Sequence, residues 1–425
     1  MIVFVKGQIR QIHSGGLQVL IRKVNVLALE LFKTPLYLLA VPVVLCVRLI
    51  KPWMLVRFGS LLSSRIGHFA ANTELYLCEY DAGINVPKQR HFDLFFMAYK
   101  PVCNDQLACM WGRELRIYPR FVLGPIYRIN RLIPGGRSHE IVNTQHDRDV
   151  NNLLTRFPPH ISFTDEEMKK GEESLRKIGI PEEEPFVCLM VRDAEYLKEK
   201  FPNVDFTYHD YRDSNINNYV LAAEELAERG YYVIRMGAKV SSPLISSNPK
   251  VIDYAFNGMR NDFMDIYLGA NCKFAITVGT GMDAIPMIFR RPMVYVNYVP
   301  LGYFLTWGEG TLVLAKHHIK DHRECTLSEI FNSGVGFCLR TSDYNSKGIK
   351  LLENSPEEIR NVALEFVDRL EGKWHQQPDD EKLQRLFWKI FPTNAVDLHL
   401  GMPLHGKIRA RYSANFLREN PGWLE

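Results

Sequence analysis

The 425-residue chain has no P-loop signature, no G-x-S-x-G elbow and no CxxC pair. The first absence excludes a Walker-type nucleotide site and the second an α/β-hydrolase nucleophile. Its eight cysteines are scattered singly, so neither a zinc site nor a disulfide framework is indicated, and a reducing cytoplasm is the simplest setting. His317-His318 with His322 and Cys325 match no finger spacing and read as a solvated loop. Asp379-Asp380-Glu381 reads as the acidic first turn of a helix. Repeats and low-complexity tracts are missing too. The net charge is only +4, too small to point to nucleic acid as a partner.

Acidic residues are scarce at one end. Residues 1–60 hold eight Lys/Arg against one acid, Glu30. Within them lies TPLYLLAVPVVLCVRLI, Thr34 to Ile50. Its uncharged core, Pro35 to Val47, is shorter than the ~20 apolar residues that cross a bilayer. Pro35 and Pro42 are expected to interrupt a helix there, and no small-residue cleavage site follows. These features predict a monotopic element on an anionic membrane surface, with the chain peripheral at the cytoplasmic face. A helix packed on the first domain, or a true span, is the alternative.

What is present is an α/β rhythm. Apolar content of 46% and charged content of 24% are globular values, and the length suggests about two domains. Pro158-Pro159 and the capping box Thr164-x-x-Glu167 mark a junction. Beyond it, buried strands are expected at Pro185–Val191, Tyr231–Met236, Val251–Tyr254 and Phe274–Val278, alternating with helices as in a doubly wound parallel sheet. Before the junction, strands are expected at Trp53–Phe58 and His91–Met97, with a turn at Arg65-Ile66-Gly67-His68 leading into a helix, and Pro119–Gly136 reads as loop. The boundaries follow: 1–54 a basic, apolar segment, 55–160 an N-terminal α/β domain, 161–350 a second α/β domain, and 351–425 C-terminal helices that could pack back across the first domain.

In an open parallel sheet, ligands bind beyond the carboxyl ends of the strands. Several polar groups fall there, and their convergence predicts a phosphate site. Gly279-Thr280-Gly281 lets the chain turn and approach a ligand, before a helix whose N-terminus suits phosphate. Arg192, Arg212 and, behind them, Arg235 with Gly237 are phosphate candidates, because the planar guanidinium donates paired hydrogen bonds. Asp262 belongs to the same set, and Lys316 is a further ligand candidate. Pairing of Arg192 with Asp193 and of Arg212 with Asp213 is the competing reading. His209, His68 and Asp193 are the candidate catalytic acids or bases; no metal ligands are assigned.

The segment LGANCKFAITVGTGMDAIPMIFRRPMVYV resembles the donor half of GT-B glycosyltransferases, in particular the heptosyltransferase-like turn, filled here by Thr280 and Gly281. The acid that often precedes that turn is Gly279 here, and the histidine that often follows is Ala284. VRDAEYL, HDYRDSNINNY, VIRMG, IDYA and SPEEI further resemble a largely uncharacterised family of bacterial proteins labelled glycosyltransferases. The resemblance implies two Rossmann-like domains with parallel sheets facing across a cleft. It also implies a metal-independent transferase without a cofactor, moving sugar from a nucleotide sugar to a cell-envelope or capsule glycan or lipid-linked acceptor. A sugar-nucleotide epimerase and a non-catalytic glycan-binding subunit remain as alternatives.

Overall fold

The structure is a computed structural model that describes residues 34–142, 147–200, 204–397 and 401–425, together with 16, 19, 21, 23 and 24. Most of the basic stretch before Thr34 lies outside the described residues. Twelve strands occur among those described: β1 (Leu55–Leu61), β2 (His91–Met97), β3 (Phe186–Met190), β4 (Tyr232–Arg235), β5 (Val251–Ile252), β6 (Phe274–Thr277), β7 (Met293–Tyr298), β8 (Leu312–Ala315), β9 (His317–Lys320), β10 (Arg323–Glu324), β11 (Lys350–Leu352) and β12 (Arg411–Tyr412).

The chain forms two compact units interleaved in sequence. The first comprises Met1–Leu61, Pro87–Ala98 and Leu115–Val142; the second comprises Leu62–Val86, Tyr99–Glu114 and Asn143–Glu425. The chain therefore passes between units at several points, not once near residue 160.

In the first unit β1 and β2 pair in parallel from Leu55↔His91 to Leu61↔Met97. Single parallel bridges, Phe58↔Glu140 and Phe95↔Ile117, extend the sheet. Phe58, Phe96 and Leu123 form its small core. Across this sheet the buried Arg57 guanidinium grips Asp93 through two bonds of 2.7 and 2.5 Å. Two expectations are corrected here. Thr34–Ile50 is one helix with Pro42 inside it, and Arg120–Leu132, expected as loop, is a helix containing Pro125. Proline removes one donor from each. Mutual packing outweighs that loss, with Ala40 and Val44 buried on one helix and Leu123 on the other. Arg48 ties the pair together through the side chain of Asn130 at 2.8 Å.

The second unit holds a seven-stranded sheet ordered β12-β8-β7-β6-β3-β4-β5, with every pairing parallel. The chain winds outward from β3 to β5, then returns to β6 and winds the other way, so its switch point lies between β3 and β6. β3, β6 and β7 are buried along their whole length, which explains their largely apolar sequences. The capping box at Thr164 and Glu167 forms and starts a helix that ends at Lys177. Pro356–Leu370, opened by a second box at Ser355 and Glu358, packs on the Val220–Glu228 helix and on β7. The C-terminal helices thus belong to the second unit, and β12 completes its sheet. His317 and His318 are in β9, which pairs antiparallel with β10 and β11, so they do not form a solvated loop. His317 lies between Glu324 and Glu358, at 2.8 and 3.1 Å.

Candidate functional site

A cavity of about 600 Å³ opens within the second unit at the carboxyl ends of β3, β4 and β6. Val191, Arg192 and Asp193 follow β3, Met236 and Gly237 follow β4, and Thr280 and Gly281 follow β6; all of them line it, as do His68, His209, Arg212 and Asp262. The ends of β3 and β6 flank the switch point, where a parallel sheet leaves a crevice for ligands.

Two glycines come close together in this wall. A Cβ on Gly67 would lie 3.0 Å from Gly281 Cα and 3.1 Å from its carbonyl oxygen. Gly67 belongs to the first turn of the Ile66–Asp81 helix, so two glycines let that helix start against the β6 turn. Gly279 makes the expected turn but does not line the cavity. It has φ +79°, and a Cβ there would strike the Tyr298 ring at 2.8 Å.

The helix expected to receive phosphate after this turn has only five residues, Ala284–Ile288, and Asp283 occupies its N-terminal position. A helix this short carries little dipole at its N-terminus. The Ile66–Asp81 helix is sixteen residues long, and its N-terminal residue, Arg65, makes no side-chain cap. Arg65, Ile66, Gly67 and His68 all line the cavity, so the free first-turn amides and the positive end of this longer helix face it instead.

Three arginines give the cavity its field. Arg192 Nε donates to Asp213 at 3.0 Å, so its partner is not the adjacent Asp193. Arg212 donates through Nη2 to the Gly279 carbonyl, while its buried Nε has no partner among the described residues. Arg65 is the third, and no carboxylate among the described residues pairs with it. Burial lowers the His209 imidazole to about 4, with help from Arg212, Arg192, Arg65 and Arg340. Burial is the larger cause, and the nearby guanidinium charges add to it.

Other candidates have their polar atoms committed. Asp193 accepts from Glu195 N at 2.7 Å, Ser241 N at 2.6 Å and Ser241 Oγ at 2.8 Å, which makes it a loop staple. Asp262 accepts from Asp105 N and Arg260, at 2.9 and 3.1 Å. Arg235 is turned away from the cavity and buried, donating to Ser242 O at 2.5 Å and Asp253 at 3.2 Å. Lys316, also buried, donates to Asp213 O at 2.6 Å. Arg235 and Lys316 stand at strand ends as expected, but their heads go into the fold.

Two cavity residues escaped the sequence reading. Arg65 is a single arginine in a turn; its only signal was the following Ile-Gly-His at a helix start. Asp283 is 8% exposed. Burial pushes its carboxyl up to about 7, against the pull of Arg212 and of the Thr277 hydroxyl at 3.4 Å. His68 is more open and lies 3.7 Å from Asp147.

Behind the Ile66–Asp81 helix, Glu74, Cys78 and His160 bring three ligand-type atoms within 4.8 Å of one another. Protein cations already occupy this group. Arg290 reaches Glu74 at 2.5 Å and Cys78 at 3.6 Å, and His160 bridges Glu74 and Asp81 at 3.1 and 3.0 Å. Burial opposes the His160 charge, but Cys78, Glu74 and Asp81 outweigh it and raise the imidazole to about 10.

No protein-family model and no curated protein matches the chain. Solved structures with a similar arrangement include E. coli ADP-heptose LPS heptosyltransferase II, at 12% identity and a TM-score of 0.41, over 74% of this chain and 98% of that one. A family 9 glycosyl transferase from Veillonella parvula overlaps at 10% identity and 0.41, over 75% and 98%. A UDP-GlcNAc 2-epimerase from Neisseria meningitidis, bound to UDP-GlcNAc, overlaps at 10% identity and 0.29, over 75% and 100%. Overlap at this level leaves function to the residues of the cavity.

Proposed function

We propose that the protein is a glycosyltransferase that moves a sugar from a nucleotide-sugar donor to a hydroxyl of a cell-envelope or capsule glycan or lipid-linked acceptor, at the cytoplasmic side. The observation that carries this reading is the convergence of Arg65, Arg192 and Arg212 on one cavity at the switch point. A diphosphate leaving group needs positive charge, and fixed guanidinium groups with helix amides supply it without reorganising. The volume is that of an ordinary small-molecule site.

In this reading Arg192 and Arg212 hold the diphosphate, and the amides opening the Ile66–Asp81 helix hold its other oxygens. The acceptor hydroxyl attacks the anomeric carbon, and the bond from that carbon to the phosphate oxygen breaks. Its electron pair leaves with the diphosphate, where the arginines stabilise the new charge. His68 takes the acceptor proton, because it is the more open imidazole and has Asp147 beside it. His209 is too weak a base for that work at neutral pH. No metal ion or resident cofactor enters these steps.

Calorimetric titration with a panel of nucleotide sugars and nucleoside diphosphates tests the proposal. Arg212→Ala is expected to weaken binding about 10- to 100-fold, the worth of a charged hydrogen bond. If no nucleotide binds the intact protein, the proposal is wrong. An isomer formed from donor alone would make the protein an epimerase, and binding with neither transfer nor isomerisation would make it a binding subunit.

A further inference from the structure

The first unit carries an apolar face that its own core leaves uncovered. Thr34–Ile50 packs on Arg120–Leu132 and touches β1. Outside that contact, Leu38, Leu39, Leu49, Trp53, Phe121 and Leu132 are each between 67% and 76% exposed. Monomeric proteins rarely leave so many large apolar side chains together on one pair of helices. The face is pre-built, since Arg48 locks onto Asn130, and Arg128 donates to the Tyr37 hydroxyl at 2.9 Å.

Charge identifies the occupant. Neither helix contains an acid. Residues 34–61 and 115–142 together hold eight Lys/Arg and one acid, Glu140. Arg57 is spent on Asp93 inside the core and Arg131 pairs with Glu140 at 3.7 Å, but Lys51, Arg120 and Arg137 belong to the same two helices or to the chain just after them. An apolar face with a basic border and an exposed tryptophan matches the acyl boundary, headgroup charge and interfacial layer of an anionic bilayer. No described helix is long and apolar enough to cross a membrane, and a seventeen-residue helix spans about 26 Å against a hydrocarbon core of about 30 Å.

We propose that these two helices form a monotopic membrane-docking surface, with Thr34–Ile50 lying in the plane of an anionic leaflet. The surface involves none of the cavity residues, so it stands or falls independently of the transferase reading.

Cosedimentation of the full chain tests this, using vesicles of three parts phosphatidylcholine to one part phosphatidylglycerol, against phosphatidylcholine alone. The protein is expected to pellet with the mixed vesicles and to bind the neutral ones at least about tenfold more weakly. Leu38→Glu/Leu49→Glu and, separately, Arg120→Glu/Arg137→Glu are each expected to reduce binding about tenfold or more, with melting temperature unchanged. Trp53 emission, isolated by difference from Trp53→Phe, is expected to shift to the blue on vesicle binding, a readout that needs no charge-altered variant. Intact protein remaining in the supernatant with mixed vesicles would overturn the proposal. So would leucine variants that bind like the parent. A dimer in vesicle-free buffer that Leu38→Glu/Leu49→Glu dissociates would assign the face to a second copy of the chain, and would also overturn it.

Discussion

Asp283 lies with its carboxyl against Thr277 in the cavity wall, and burial holds it at about 7. An aspartate raised this far binds its proton more tightly folded than unfolded. Stability attributable to it therefore falls as pH rises from the unfolded value near 4 through about 7. Asp283→Asn keeps the shape and stays neutral. It is expected to melt higher than the parent by a few degrees at pH 8, with the gain shrinking toward zero by about pH 4. Thermal melts at both pH values check this, and a constant offset would show that the carboxyl does not titrate in that window. The same proton bears on ligand binding. A diphosphate beside Asp283 raises the carboxyl further, so binding at pH 7.5 is expected to take up protons, seen as a dependence of the calorimetric heat on buffer ionisation. Arg212 sits on the other side of this balance: it pulls Asp283 down, and its bond to the Gly279 carbonyl fixes the turn after β6.

At the scale of elements, the Ile66–Asp81 helix and the β6 turn meet through Gly67 and Gly281. A methyl group on Gly67 would have to push backbone away from backbone, because its nearest neighbours are the Cα and carbonyl of Gly281. Gly67→Ala is expected to lower nucleotide affinity about tenfold or more by displacing the helix start, while Gly112→Ala, with open space around it, is expected to change nothing. Equal affinities in a titration would remove the helix start from the site. Much of this architecture was legible beforehand: the apolar runs at β3 and β6 read directly as buried strands, and the box at Thr164 placed a helix start. Failures came where tertiary contacts overrode local rules. Pro42 and Pro125 read as breaks, yet two packed helices carry them. Arg235 and Lys316 read as ligand-facing because they end strands, but sequence does not say which face a strand-end side chain takes. Gly279-Thr280-Gly281 follows β6 as expected, whereas its partner, the helix start more than 200 residues earlier, depends on tertiary contact that spacing does not encode.

Considered whole, the molecule distributes burial unevenly between its units. The second holds a seven-stranded sheet whose central strands are fully buried. The first rests on a two-stranded parallel sheet, two single-residue bridges and a small cluster around Phe58, Phe96 and Leu123. Pairs of strands are marginal without help from packed helices, and opening free energies follow buried contact and protected hydrogen bonding. Amides of β1 and β2 are therefore expected to exchange at least about tenfold faster than those of β6 and β7 when followed by hydrogen–deuterium exchange and mass spectrometry. Mixed phosphatidylcholine and phosphatidylglycerol vesicles should slow exchange in Thr34–Ile50 while leaving β6 and β7 unchanged. Uniform exchange across all four strands would contradict the expected difference in stability. Slowing in β6 without slowing in Thr34–Ile50 would place the lipid contact on the second unit, because protection appears first where water is excluded.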